Sequence, residues 1–122
     1  MTDVAALPLP STVDDHRDCP VTGVLRRVGD KWSVLIISVL GAGPRRFNEL
    51  HRGIEGLSHR ILTLTLRGLE GDGLVSRTVL ATNPVTVEYA LTPLGQSLRE
   101  PLSAVAEWAL SHRAELEAAR RV

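Results

Sequence analysis

Cysteine is nearly absent from this chain, with Cys19 the only one in 122 residues. One thiol can make neither an internal disulfide nor a multi-cysteine metal site, which excludes a disulfide scaffold and a zinc ribbon. Charge of one sign is also missing: 14 Lys and Arg balance 14 Asp and Glu. Whole-chain charge therefore predicts no partner. No long hydrophobic run occurs, since the best stretch, Val34 to Leu40, is broken by Ser38 and falls far short of the roughly 18 apolar residues of a membrane span. The first 20 residues hold Asp3, Asp14, Asp15 and Asp18 but no basic start followed by an apolar stretch. No signal peptide is expected, and a cytoplasmic location follows.

Catalytic signatures are lacking as well. There is no glycine-rich phosphate loop, no G-x-S-x-G elbow and no H-E-x-x-H, and the acids form no recognisable pair on one helix face. A chain this short that devotes helices to a core and to a dimer has little room for an enclosed pocket. Neither an enzyme nor a cofactor is expected.

What is present suits one globular domain: 43% of residues are hydrophobic and 23% charged. The charge is unevenly placed. Residues 1 to 25 carry four acids and one base, residues 26 to 67 three acids and eight bases, and residues 68 to 122 seven acids and five bases. A neutral protein with a basic middle can present a positive face, which the electrostatic part of nucleic-acid binding requires. Thirteen of the 14 basic residues are Arg, the side chain that forks onto phosphate or guanine.

Along the chain, residues 1 to 17 hold Pro8, Pro10 and several Asp without periodicity and read as a flexible arm. The folded domain is expected over 18 to 122. Pro20 suits a first helical turn, with Cys19 at the N-cap, and Val21, Val24, Leu25 and Val28 recur at helical spacing up to Gly29. Asp30 can cap a second helix, apolar almost all round from Trp32 to Leu40, that should centre the core. A third short helix is expected from Phe47 to Arg52, then a turn through Gly53 and Gly56. Ser58 can cap a fourth helix that buries Leu62, Leu66 and Leu69, up to Gly71-Asp72-Gly73. Val75 to Leu80 and Val85 to Leu91, joined by Thr82-Asn83-Pro84, predict a two-stranded hairpin. Thr92 and Pro93 open a C-terminal helical region with Leu94, Leu98, Leu102, Val105 and Ala109 in phase, which Pro101 should kink or split.

Three helices, a glycine turn joining the last two, and an immediate hairpin make a winged helix-turn-helix. The fold class is mainly α with a small β-hairpin, with extra terminal helices for dimerisation, those at the C-terminal end starting at about residue 93. The landmarks Cys19-Pro20, Gly29-Asp30-Lys31-Trp32, Arg46-Phe47-Asn48-Glu49-Leu50, Ser58-His59-Arg60, Gly73-Leu74-Val75, Glu88-Tyr89-Ala90-Leu91-Thr92 and Leu94-Gly95 come in an order that resembles the HxlR-type transcriptional regulators, winged-helix relatives of the MarR group. The resemblance spans about Cys19 to Trp108. It implies a homodimeric bacterial DNA-binding repressor or activator with the helix from Ser58 as the reading helix.

If Leu62, Leu66 and Leu69 face the core, then His59, Arg60, Thr63 and Arg67 lie on the opposite face, and Ser58 at the N-terminus is aimed at a phosphate. Arg60 and Arg67 can each fork onto guanine and Thr63 can meet a thymine methyl. A solvated surface arginine is an equal reading for Arg67, and His59 reads as a hydrogen-bonding surface residue, since no second ligand follows at metal spacing. Leu64 departs from the polar residue expected in a groove. Contact with a thymine methyl and packing against the next element both fit it. Arg45 and Arg46 suit phosphate contacts that set register, and the wing turn holds no Lys or Arg.

Cys19 has two readings, a packed structural thiol and a sensor of oxidants or electrophiles, the latter implied by the resemblance. Trp108 and the C-terminal apolar stripe exceed what a small winged core covers, so a homodimer is expected on a pseudo-palindromic double-stranded operator. A small apolar effector between core and dimer helices is an alternative signal to thiol oxidation. A winged-helix module that binds only protein is the rival class, and its reading face would be acidic or apolar.

Overall fold

The computed structural model describes residues 20–120. The expected arm over 1 to 17 and Cys19 lie outside them. In chain order the elements are α1 (Pro20–Val28), α2 (Lys31–Leu40), β1 (Arg45–Arg46), α3 (Phe47–Gly53), α4 (His59–Gly71), β2 (Val75–Leu80), β3 (Thr86–Leu91), α5 (Pro93–Ser111) and α6 (Arg113–Arg120). No helix among the described residues is long and apolar enough to cross a membrane.

The helix starts follow from short polar caps. The Asp30 carboxylate accepts from Trp32 N at 3.2 Å and from the Ser33 hydroxyl at 2.9 Å, satisfying one orphan amide of α2 and the buried Ser33 side chain together. Thr92 does the same for α5: its oxygen accepts from Gly95 N at 3.1 Å while its hydroxyl donates to the Gly73 carbonyl at 2.6 Å. That second bond ties the start of α5 to the loop between α4 and β2.

One core forms from Ile36, Ile37 and Leu40 of α2, Leu50 of α3, Ile54 and Leu57 of the turn, Leu62, Leu66 and Leu69 of α4, and Leu74 and Val75 entering β2. α2 centres it, as its composition predicts, although Leu35 on its far side is left exposed. Arg27 of α1 reaches across to α4, where its Nε lies 2.6 Å from the Asp72 carboxylate. Its guanidinium rests on Gly68, where a Cβ would collide with it. The pair is partly solvated and adds little stability, but it joins the first helix to the end of the fourth.

The expected hairpin forms as the antiparallel pair of β2 and β3, with Val75 opposite Leu91 and Leu80 opposite Thr86, and the sheet adds one strand to it. The sheet has three antiparallel strands in the order β1-β3-β2, with Arg45 opposite Tyr89 and Arg46 opposite Glu88. Two residues are too few to display period-2 alternation, so β1 exists only because β3 supplies its ladder partners. Of the kink or split expected at Pro101, the split does not occur. α5 runs through it to Ser111, and the break comes instead at His112. Proline removes the amide that would have bonded the Ser97 carbonyl, but Ser97 lies on an exposed turn where water can satisfy that oxygen. Leu98 and Leu102 pack on the core, while Leu94, Val105, Trp108 and Leu110 stay exposed, as do Val24 and Leu25 of α1.

Candidate nucleic-acid interface

α3 and α4 form the helix-turn-helix. The turn is pinned by buried Ile54 and Leu57, and between them Gly56 adopts φ +82, a left-handed conformation that a side chain would strain. Glu49 steadies the entry to α3 by accepting from Arg46 N at 2.9 Å. Ser58 caps α4, its hydroxyl oxygen accepting from Ile61 N at 3.1 Å, so its own proton is left to donate toward a phosphate.

The 13 residues of α4 divide cleanly. Leu62, Thr65, Leu66 and Leu69 are buried. At 100° per residue the opposite side carries Arg60, Leu64 and Arg67, and all three are exposed. Thr63 sits at the edge of this face, half-buried, with its hydroxyl donating to the His59 carbonyl at 2.9 Å. The His59 ring lies against the rings of His51, 3.9 Å between centroids, and Phe47, 5.5 Å, so it is held at the junction of the two helices. Leu64 is 51% exposed and absent from the core cluster. The alternative in which it packs against the next element is not what the fold does.

The two arginines ahead of α3 part company. Arg45 is half-buried and its Nη1 donates to the carbonyls of Gly43 and Pro44 at 3.2 and 2.9 Å, so part of its guanidinium is committed to its own loop. The Arg46 side chain is exposed. With Arg52 it lines a cleft between α3 and the wing residues Val85 to Val87. A second cleft, of about 410 Å³, lies between α4 and the sheet, and its lining includes Arg67 and Glu70 of α4 with Arg77 and Tyr89 of the sheet. Arg52 and Arg77 escape a reading by helix periodicity alone. The available signal for Arg77 is its alternation with Val75 and Val79, which puts a charge on the same strand face as buried Val75. The wing turn, with Thr82 Oγ1 donating to the Pro84 carbonyl at 2.7 Å, is exposed and uncharged. Among the described residues no group of three or more His, Cys, Asp or Glu side chains is placed to hold a metal ion.

These elements and their order are shared with known regulators. The HxlR-like helix-turn-helix family matches residues 27–117. The HTH-type transcriptional regulator YtfH of Escherichia coli (strain K12) is 42% identical over 90 residues, covering 74% of this chain and 71% of YtfH. Among solved structures, the redox regulator HypR in its reduced form superposes with a TM-score of 0.74 at 39% identity, over 81% of this chain and 98% of HypR. A transcriptional regulator of the MarR family from Enterococcus faecalis V583 superposes with a TM-score of 0.71 at 34% identity, over 80% of this chain and 89% of its own. The fold is a winged helix-turn-helix, and the chain belongs to the HxlR-like helix-turn-helix family of transcriptional regulators.

Proposed function

We propose that this protein represses transcription by binding a pseudo-palindromic operator as a homodimer, with α4 in the major groove. The observation that carries the reading is the outward face of α4, where Arg60 and Arg67 stand exposed on the side opposite Leu62, Leu66 and Leu69. Arginine on a helix face reads guanine through O6 and N7, and the capped N-terminus at Ser58 is suited to a phosphate. Arg46 and Arg52 beside the wing add phosphate contacts that orient the protein without reading sequence. This basic surface disfavours a module that binds only protein. The dimer is supported by Val24, Leu25, Leu94, Val105 and Trp108, large apolar side chains left exposed on α1 and α5, which a partner copy would cover. Twofold pairing would set two reading helices about 34 Å apart or a multiple of it.

The test is binding of the reduced protein to its own upstream intergenic DNA and to a random duplex across a salt series, with light scattering of the free protein. The expected result is a dimer at micromolar concentration that prefers the upstream fragment by at least about a thousandfold and weakens steeply with salt. Indifference to sequence at every salt concentration would overturn the reading.

For the signal, we infer thiol oxidation at Cys19 in preference to a small apolar ligand. The support is the likeness to HypR, named a redox regulator and solved in reduced and oxidised forms, together with one cysteine in the whole sequence. Diamide, which takes two electrons and two protons from a pair of thiols, is expected to join Cys19 to the Cys19 of a second copy and so release DNA from the wild-type protein, and to leave Cys19→Ser bound. An unchanged response in Cys19→Ser would remove the thiol from the mechanism.

A further inference from the structure

The outward face of α4 holds one residue that neither phosphate binding nor guanine reading explains. Leu64 lies between Arg60, four residues before it, and Arg67, three residues after it, and half of its surface is open to water. It belongs to none of the core contacts that absorb Leu62, Leu66 and Leu69. An isobutyl group offers no donor and no acceptor, so in the major groove it gains nothing from the edges of guanine, adenine or unmodified cytosine, whose polar atoms it would only desolvate. One kind of apolar group stands on the groove floor, the methyl on C5 of a pyrimidine, carried by thymine and by 5-methylcytosine.

We propose that Leu64 is a specificity-determining residue that reads a pyrimidine C5-methyl group at one position in each half-site. The inference rests on the DNA-reading role assigned to α4. Arg60 and Arg67 are seven residues apart, about 10 Å along the helix, roughly three base-pair steps. The methyl read by Leu64 therefore falls between the base pairs addressed by the two arginines. A polar side chain in that place would demand a hydrogen-bonding base edge, whereas leucine selects by contact and by the cost of leaving its own methyls wet.

The experiment begins with duplexes selected by the full-length protein from a random-core library. In the selected duplex each thymine is replaced in turn by deoxyuridine, which removes the methyl and nothing else, and each cytosine in turn by 5-methylcytosine, which adds one. The expected result is a loss of about fourfold at one thymine per half-site, the value for one buried methyl group, and a ratio near one at that site for Leu64→Ala. A comparable gain at a single cytosine would identify 5-methylcytosine as the methyl's source and equally support the inference. Leu64 is exposed, so Leu64→Ala should keep its fold, which circular dichroism checks. If no position responds to the methyl, or if Leu64→Ala keeps the full preference, the inference falls while the DNA-reading role stands. If selection enriches no duplex at all, that role falls as well.

Discussion

Gly95→Ala is expected to destabilise the protein by about 3 kcal/mol, the upper end of what overpacking a core costs, and to lower the melting temperature by roughly 10 to 15 °C. Gly95 is buried in the first turn of α5. A Cβ there would overlap the backbone carbonyl of Leu74 and press on Leu91 Cδ2 at 3.1 Å. The carbonyl cannot swing aside, because it accepts from Thr92 N at 3.0 Å and Leu74 itself is packed in the core. Relief requires α5 to lift away from the start of β2, which also carries the wing. Gly71→Ala is the control: nothing lies within 4 Å of a Cβ at that position, so its effect should stay within about 1 kcal/mol. Urea unfolding of the two variants decides it, and equal stability would mean that α5 does not dock on Leu74 as described.

Arg60→Ala should cut affinity for the selected operator by about ten- to a hundredfold while changing affinity for random DNA by no more than about threefold. The asymmetry follows from placement. Arg60 is in the first turn of α4, exposed on the reading face, and the N-terminal residues of a recognition helix are the ones that reach base edges. Arg46, ahead of α3 and beside the wing, supplies the contrast. Its replacement by alanine should weaken both duplexes alike and reduce the salt slope by about one. Titrations of both variants on both duplexes make the comparison. Equal loss on the two duplexes for Arg60→Ala would demote that residue to a phosphate contact.

Much of this architecture is legible along the chain. Asp30, Ser58 and Thr92 announce helix starts because a short side-chain oxygen can reach a free amide only there, and all three make that bond. The spacing of Leu62, Leu66 and Leu69 orients α4, since a helix has one buried stripe and the rest of its surface follows by rotation. Failures of sequence reading occur where no periodicity exists to be read. β1 has two residues and is created by pairing. Pro101 announces a kink or a split, and the split does not occur there, whereas His112, which gives no such warning, is where the helix ends.

Local spacing and local hydrogen bonding along the chain are enough for the helix-turn-helix, its caps and turn, the hairpin that follows, and the free face of α4. Tertiary structure alone decided three things. It tied the guanidinium of Arg45 to its own loop and left the Arg46 side chain in the open, brought Arg77 and Arg67 to the lining of one cleft, and left half of Leu64 exposed. Each depends on which surfaces meet when distant segments pack, and burial of that kind is a property of the assembled core that no window of neighbouring residues contains.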